Sequence, residues 1–129
     1  MDKKIEILTE TPSGFKRAWF FCPGCESDHA VYIEGDKSKV PVWGYNGSED
    51  KPTFTPSVLV SYPQYSEAKR KERQFFYEEN GRYPTAKELP FDKKFICHSF
   101  VKDGMIQFLN DCTHNLKGQT VNLRKYTSI

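Results

Sequence analysis

Four cysteines carry the most specific chemistry in this chain of 129 residues. Cys22-Pro-Gly-Cys25 has the spacing of a metal knuckle, in which a tight turn presents two thiolates to one ion and the glycine lets backbone amides point toward sulfur. Cys97 and Cys112 flank the segment Val101-Lys-Asp-Gly-Met-Ile106. Asp103-Gly104 readily takes the positive backbone angles of a two-residue hairpin turn, which places His98 opposite Leu109 and Cys97 opposite Asn110. Side chains two apart on a strand share a face, so Cys97 and Cys112 fall on one face and His98 and Asp111 on the other. The expected site is a tetrahedral zinc held by Cys22, Cys25, Cys97 and Cys112. His114 continues the same parity and could replace either hairpin cysteine, and His29 is a weaker substitute. Zinc saturated by four thiolates is closed and structural, tying residues 22–25 to residues 97–112. The competing reading is that the cysteines are small buried hydrophobes or redox thiols.

If a metal takes the sulfurs, the polar residues left over are Ser57, His98, Ser99, Asp103, Asp111 and His114. Three of them suit a hydrolase. Asp111 could orient the His98 imidazole from the shared hairpin face, leaving its second nitrogen to take a proton from a hydroxyl. Ser57 is the candidate hydroxyl, since it follows Pro52-Thr-Phe-Thr-Pro56, whose prolines restrict the backbone and present the serine at a strand edge. Structural duties compete with each role: Ser57 satisfying a turn, His98 hydrogen-bonded in a sheet, Asp111 capping a turn. A second enzymatic arrangement makes zinc a Lewis acid on His98, Cys112 and His114.

These residues need a sheet to position them, and the first sixty positions supply one. Ile5 and Ile7 alternate with charges, and Phe15–Cys22, His29–Glu34, Val40–Tyr45 and Thr53–Tyr62 are rich in Val, Ile, Tyr, Phe and Trp. Turn residues separate them at Thr11-Pro-Ser-Gly14, Pro23-Gly24, Gly35-Asp36 and Asn46-Gly-Ser48. Composition changes at Ser66, the expected cap of a helix stopped by Gly81, with a further helical turn at Thr85–Leu89. The expected fold is mainly β of the α+β kind: a single antiparallel-sheet, zinc-binding domain over 1–129 with one helical insertion at about 63–93. In that insertion Phe75 and Phe76 would pack back on the sheet, unless it serves as a lid or partner-binding arm. With 37% hydrophobic residues the chain can bury a core. A net charge of +2 is too small to imply nucleic acid. Lys69, Arg70, Lys71 and Arg73 are interleaved with Glu67, Glu72, Glu78 and Glu79, which same-helix ion pairs explain as well as phosphate binding. No apolar run reaches the roughly 20 residues of a membrane helix, and the charged start Met-Asp-Lys-Lys-Ile-Glu does not read as a signal peptide. Cytoplasmic residence follows as an expectation, with thiols kept reduced.

The motifs Cys22-Pro-Gly-Cys25, Trp43-Gly-Tyr-Asn-Gly47, Pro52-Thr-Phe-Thr-Pro-Ser57, Cys97-His-Ser-Phe-Val-Lys-Asp-Gly104 and Ile106–Thr120 resemble a family of small phage and prophage zinc proteins. Its members are sometimes labelled ammonia monooxygenase, a label these residues do not support. More distantly, the chain is similar to small proteins encoded beside bacterial ubiquitin-like modifiers and their conjugating enzymes, for which removal of the modifier by peptidase action is proposed. The resemblance covers both ends but not residues 62–93. It implies a Ser57–His98 pair cleaving a peptide or ester bond after a ubiquitin-like tail, in the cytoplasm of a bacterial host. Cys97 departs from the pattern, since the relatives have serine before the histidine, and their cysteines are spaced differently. A reading of another class is a phage-encoded interaction module that binds and inhibits a host defence protein without catalysis.

Overall fold

The structure, a computed structural model, describes residues 3–127. Eight strands and one helix are present among them: β1 (Glu6–Thr9), β2 (Lys16–Cys22), β3 (Ser27–Glu34), β4 (Gly44–Tyr45), β5 (Phe54–Gln64), α1 (Glu67–Asn80), β6 (Lys93–Lys102), β7 (Met105–Phe108) and β8 (Thr120–Asn122). They form two antiparallel sheets, ordered β1-β2-β3 and β4-β5-β6-β7-β8. The mainly β expectation is met. Val40–Tyr45 forms only a two-residue strand, because Trp43 N–H turns to Tyr32 C=O at 2.8 Å instead of continuing along β5.

Contacts divide the chain into two compact units. The first comprises Met1–Val60 with Cys97–Ile129, and the second Ser61–Ile96. In the first, strand alternation builds the core. Ala18, Phe20 and Cys22 of β2 and Val31 of β3 are buried from one sheet, Phe54, Val58, Cys97, Val101, Ile106 and Phe108 from the other. Phe20 and Phe54 stack with ring centroids 6.0 Å apart, joining the two inner faces.

The β6–β7 hairpin has the register read from its turn. Ser99 faces Phe108 and Val101 faces Ile106, while Asp103 (φ 50°) and Gly104 (φ 79°) make the two left-handed residues. A side chain at Gly104 would be strained by that angle and would also press within 3.1 Å of Asp50 O. The turn is held from outside as well: Asp103 N–H donates to Thr53 Oγ1 at 2.9 Å, and Gly104 N–H to Pro52 O at 3.0 Å.

In the second unit Ser66 caps α1, its Oγ accepting from Lys69 N–H at 3.2 Å, and left-handed Gly81 ends it by donating to Tyr77 O. Thr85–Leu89 closes as a hydrogen-bonded turn rather than a helix. The helix buries no residue and Phe75 is 62% exposed, which corrects the expectation that Phe75 packs inward. No helix among the described residues is long and apolar enough to cross a membrane.

Candidate functional site

Two constellations meet at β6, one on each face. On the buried face, Cys22 ends β2 and Cys97 lies in β6, with their sulfurs 3.8 Å apart. Cys22, Cys25, His29 and Cys97 place four ligand atoms within 4.8 Å of one another. The knuckle is the loop of the β2–β3 hairpin. Phe20 pairs with His29 and Cys22 with Ser27, so His29 lies diagonal to Cys22 on the buried face. Spacing from Cys25 alone makes His29 a weak candidate; strand parity carried through the loop is the signal that places it beside Cys22. Cys112, expected as the fourth ligand, sits instead in a second group with Cys97 and His114.

The electrostatics of the first group suit a cation. Hydrogen bonds from the Cys25 and then the Cys97 thiol draw Cys22 far below the ordinary thiol range, and His29 adds a weaker pull in the same direction. The same interaction pushes Cys25 up to about 12 and raises Cys97 further, chiefly through Cys22. One thiolate is thus accommodated at the cost of its neighbours, and full deprotonation of the three requires a positive charge among them. His29 is buried, with Nε2 in no hydrogen bond of normal geometry, which leaves that nitrogen free to serve as a ligand. These four residues could hold a metal ion. Gly24 has a different duty from the one expected: a Cβ there would lie 2.3 Å from the His114 ring, so the glycine makes room for an imidazole packed on the knuckle.

On the opposite face, His98 bridges Ser57 and Asp111. Its Nδ1 is 3.0 Å from Asp111 Oδ2 and its Nε2 is 2.9 Å from Ser57 Oγ. A carboxylate only accepts, so Nδ1 carries the proton and donates it. Nε2 is then free to accept from the serine hydroxyl. The His98 side chain is 24% exposed and that of Asp111 52%, so the pair is reachable from solvent. His98 turns Nδ1 to Asp111 and Nε2 to Ser57, and the group that contains Cys112 and His114 has Cys97 as its third member. Ser99 points into the core and is fully buried, and Asp103 serves the turn.

Main-chain braces hold the two partners. Trp43 Nε1–H donates to Ser57 O at 3.2 Å, a role that the type and spacing of Trp43-Gly-Tyr-Asn-Gly47 do not reveal. Cys112 Sγ accepts from His98 N–H and donates to His98 O, both at 3.2 Å. Leu109 N–H also donates to His98 O, at 2.9 Å.

Asp111, His98 and Ser57 thus lie in one hydrogen-bonded line on this face. A family model described as BubE, bacterial ubiquitination-like system serine protease, matches residues 1–109. The chain belongs to that family. No curated protein and no solved structure matches it. The matched span contains Ser57 and His98 together with Cys22, Cys25, His29 and Cys97, and ends just before Asp111 in the turn after β7.

Proposed function

We propose that the chain is a serine-type peptidase or ester hydrolase acting on the tail of a ubiquitin-like modifier. The observation that carries this reading is the continuous hydrogen-bonded line from Asp111 through His98 to Ser57. Ser57 Oγ attacks the substrate carbonyl while its proton passes to His98 Nε2. The imidazolium, held through Nδ1–H by Asp111, returns that proton to the departing nitrogen or oxygen, leaving an acyl group on Ser57. Water activated by the same imidazole then releases the acyl product. A backbone amide within residues 57–59 would be the donor to the oxyanion.

A protein substrate is supported by the surface beside the pair. Leu59 shares a strand face with Ser57, and Phe100 shares one with His98; they are 58% and 44% exposed. Because β5 and β6 are antiparallel, two steps onward along each strand lead in opposite directions, so the two apolar side chains flank the Ser57–His98 pair from either side. An extended polypeptide crossing the pair meets one on each side of its scissile bond. The metal set Cys22, Cys25, His29 and Cys97 suits zinc in a structural role. When bound, zinc would supply a cross-link between β2, β3 and β6 and leave the proton transfers to His98.

The test is cleavage of a ubiquitin-like protein carrying a C-terminal extension. Ser57→Ala and His98→Ala are expected to lower turnover by at least about a thousandfold with the fold intact. Wild-type rates in both variants would remove the assignment. Exposed aromatics on α1 favour a second reading, a non-catalytic module that binds a host protein. Phe75 and Phe76 line a hollow with Lys71, Glu72, Glu79 and Asn80. In that case binding is lost on deleting residues 66–80, and Ser57 and His98 are dispensable.

A further inference from the structure

The feature that neither the relay nor the metal set explains is the side chain of Cys112. It is 4% exposed and follows Asp111 directly, in a turn closed by Cys112 N–H donating to Leu109 O at 3.2 Å. Strand β7 ends at Phe108, so the hairpin ladder stops short of the level of His98. Beyond that point Leu109 N–H still reaches His98 O, while His98 N–H goes to the Cys112 thiol in place of a β7 carbonyl. Sγ takes the His98 N–H and gives its own hydrogen to His98 O, spanning both main-chain polar groups of one residue. Sulfur replaces a missing β-ladder pair at the residue whose ring must stay aimed at Ser57.

We propose that Cys112 is a positioning residue for His98 rather than a ligand of the metal. This deepens the serine-hydrolase reading and rests on it for the kinetic consequence, though not for the structural one. Three observations agree. Cys112 stands outside the group formed by Cys22, Cys25, His29 and Cys97, which is already complete for tetrahedral coordination. Its Sγ lies 3.2 Å from both the nitrogen and the oxygen of the His98 main chain, so the sulfur is directed at that residue's backbone. The turn it closes also carries Asp111, whose carboxylate holds the other end of the same histidine. Cys112 therefore fixes the His98 main chain while Asp111 fixes its ring, both from a single turn. Losing the brace lets the ring drift relative to Ser57, and a misplacement of about 1 Å can cost on the order of a hundredfold in rate.

The experiment uses the full chain as wild type, Cys112→Ala and Cys112→Ser. Three quantities are read: metal per chain by elemental analysis, the low-field proton resonance of His98 Nδ1–H, and kcat and KM on a modifier carrying a C-terminal extension. Alanine is expected to keep the wild-type metal content, to broaden or lose the resonance, and to lower kcat by about ten- to a hundredfold with KM changed much less. Serine, which can still accept and donate, is expected to recover much of the resonance and rate. Loss of metal in both variants would overturn the proposal by making Cys112 a ligand. An unaltered resonance in a folded, metal-loaded alanine variant would overturn it equally. If the alanine variant fails to fold, serine decides by the same two readouts. The resonance needs no turnover, so wild type without activity would count against the hydrolase reading while leaving the brace to be judged by NMR.

Discussion

At the residue scale, the arrangement turns on which nitrogen of His98 holds the proton. Asp111 sets this by accepting from Nδ1, at 3.0 Å, although its carboxylate is half-exposed and its charge is screened. An Asp111→Asn amide can donate to Nδ1 and favour the opposite tautomer, which would protonate Nε2 and disable the base. The expected outcome is a fall in kcat of at least about a hundredfold with melting temperature nearly unchanged; loss of a relay aspartate elsewhere costs about 10⁴-fold when it is buried. A change within twofold would show that Asp111 does not orient the base. At the buried face, His29→Ala is expected to reduce bound metal sharply, read by elemental analysis, whereas retention of full metal content would remove His29 from the set. The pairing of His98 with Asp111 could be posed from the sequence because hairpin parity fixes which residues share a face, and Ser57 from the prolines that precede it. The reach of His98 to Ser57 could not, since 41 positions separate them and no local pattern encodes a β5–β6 register.

At the element scale, turns and caps were the legible parts. Asp103-Gly104 and the Ser66 and Gly81 helix ends are stated by residue type because each satisfies a specific backbone need. The failures came where long-range packing decides. Val40–Tyr45 has strand composition but loses Trp43 to β3 and to the Ser57 carbonyl, and Phe75 is apolar yet exposed. Since α1 buries nothing, its ends matter more than its faces. Ser66→Ala is expected to cost about 1 kcal/mol of local stability, seen as roughly fivefold faster hydrogen exchange at the Lys69 amide. In the same unit Arg82 makes two hydrogen bonds to the Glu88 carboxylate, at 2.8 and 2.9 Å, and with the Thr85 amide holds that carboxyl at about 2. A lowered carboxyl pKa stabilises the fold above the ordinary value of 4.5, and the contribution fades as pH falls toward 2. NMR titration of Glu88 should find a midpoint near 2 that rises toward the ordinary value in Arg82→Ala; an ordinary midpoint in the wild type would deny the pairing.

At the scale of the whole molecule, β6 separates two kinds of chemistry by alternation alone. Cys97 faces the core with Ser99 and Val101, and His98 faces outward with Phe100. A metal on Cys22, Cys25, His29 and Cys97 would fasten both sheets of the first unit behind the residue that must hold still. Its removal by a chelator is expected to lower the melting temperature markedly, with activity falling only in step with the folded fraction. Inhibition at full folding would instead make the metal part of the reaction. The division of faces is tested most directly by treating the metal-loaded chain with a fluorophosphonate and locating the adduct by peptide mass spectrometry. Modification is expected at Ser57 alone, abolished by His98→Ala, with all four cysteines unmodified and the metal retained. A wild-type chain left unlabelled at Ser57, or labelled equally fast without His98, would contradict it.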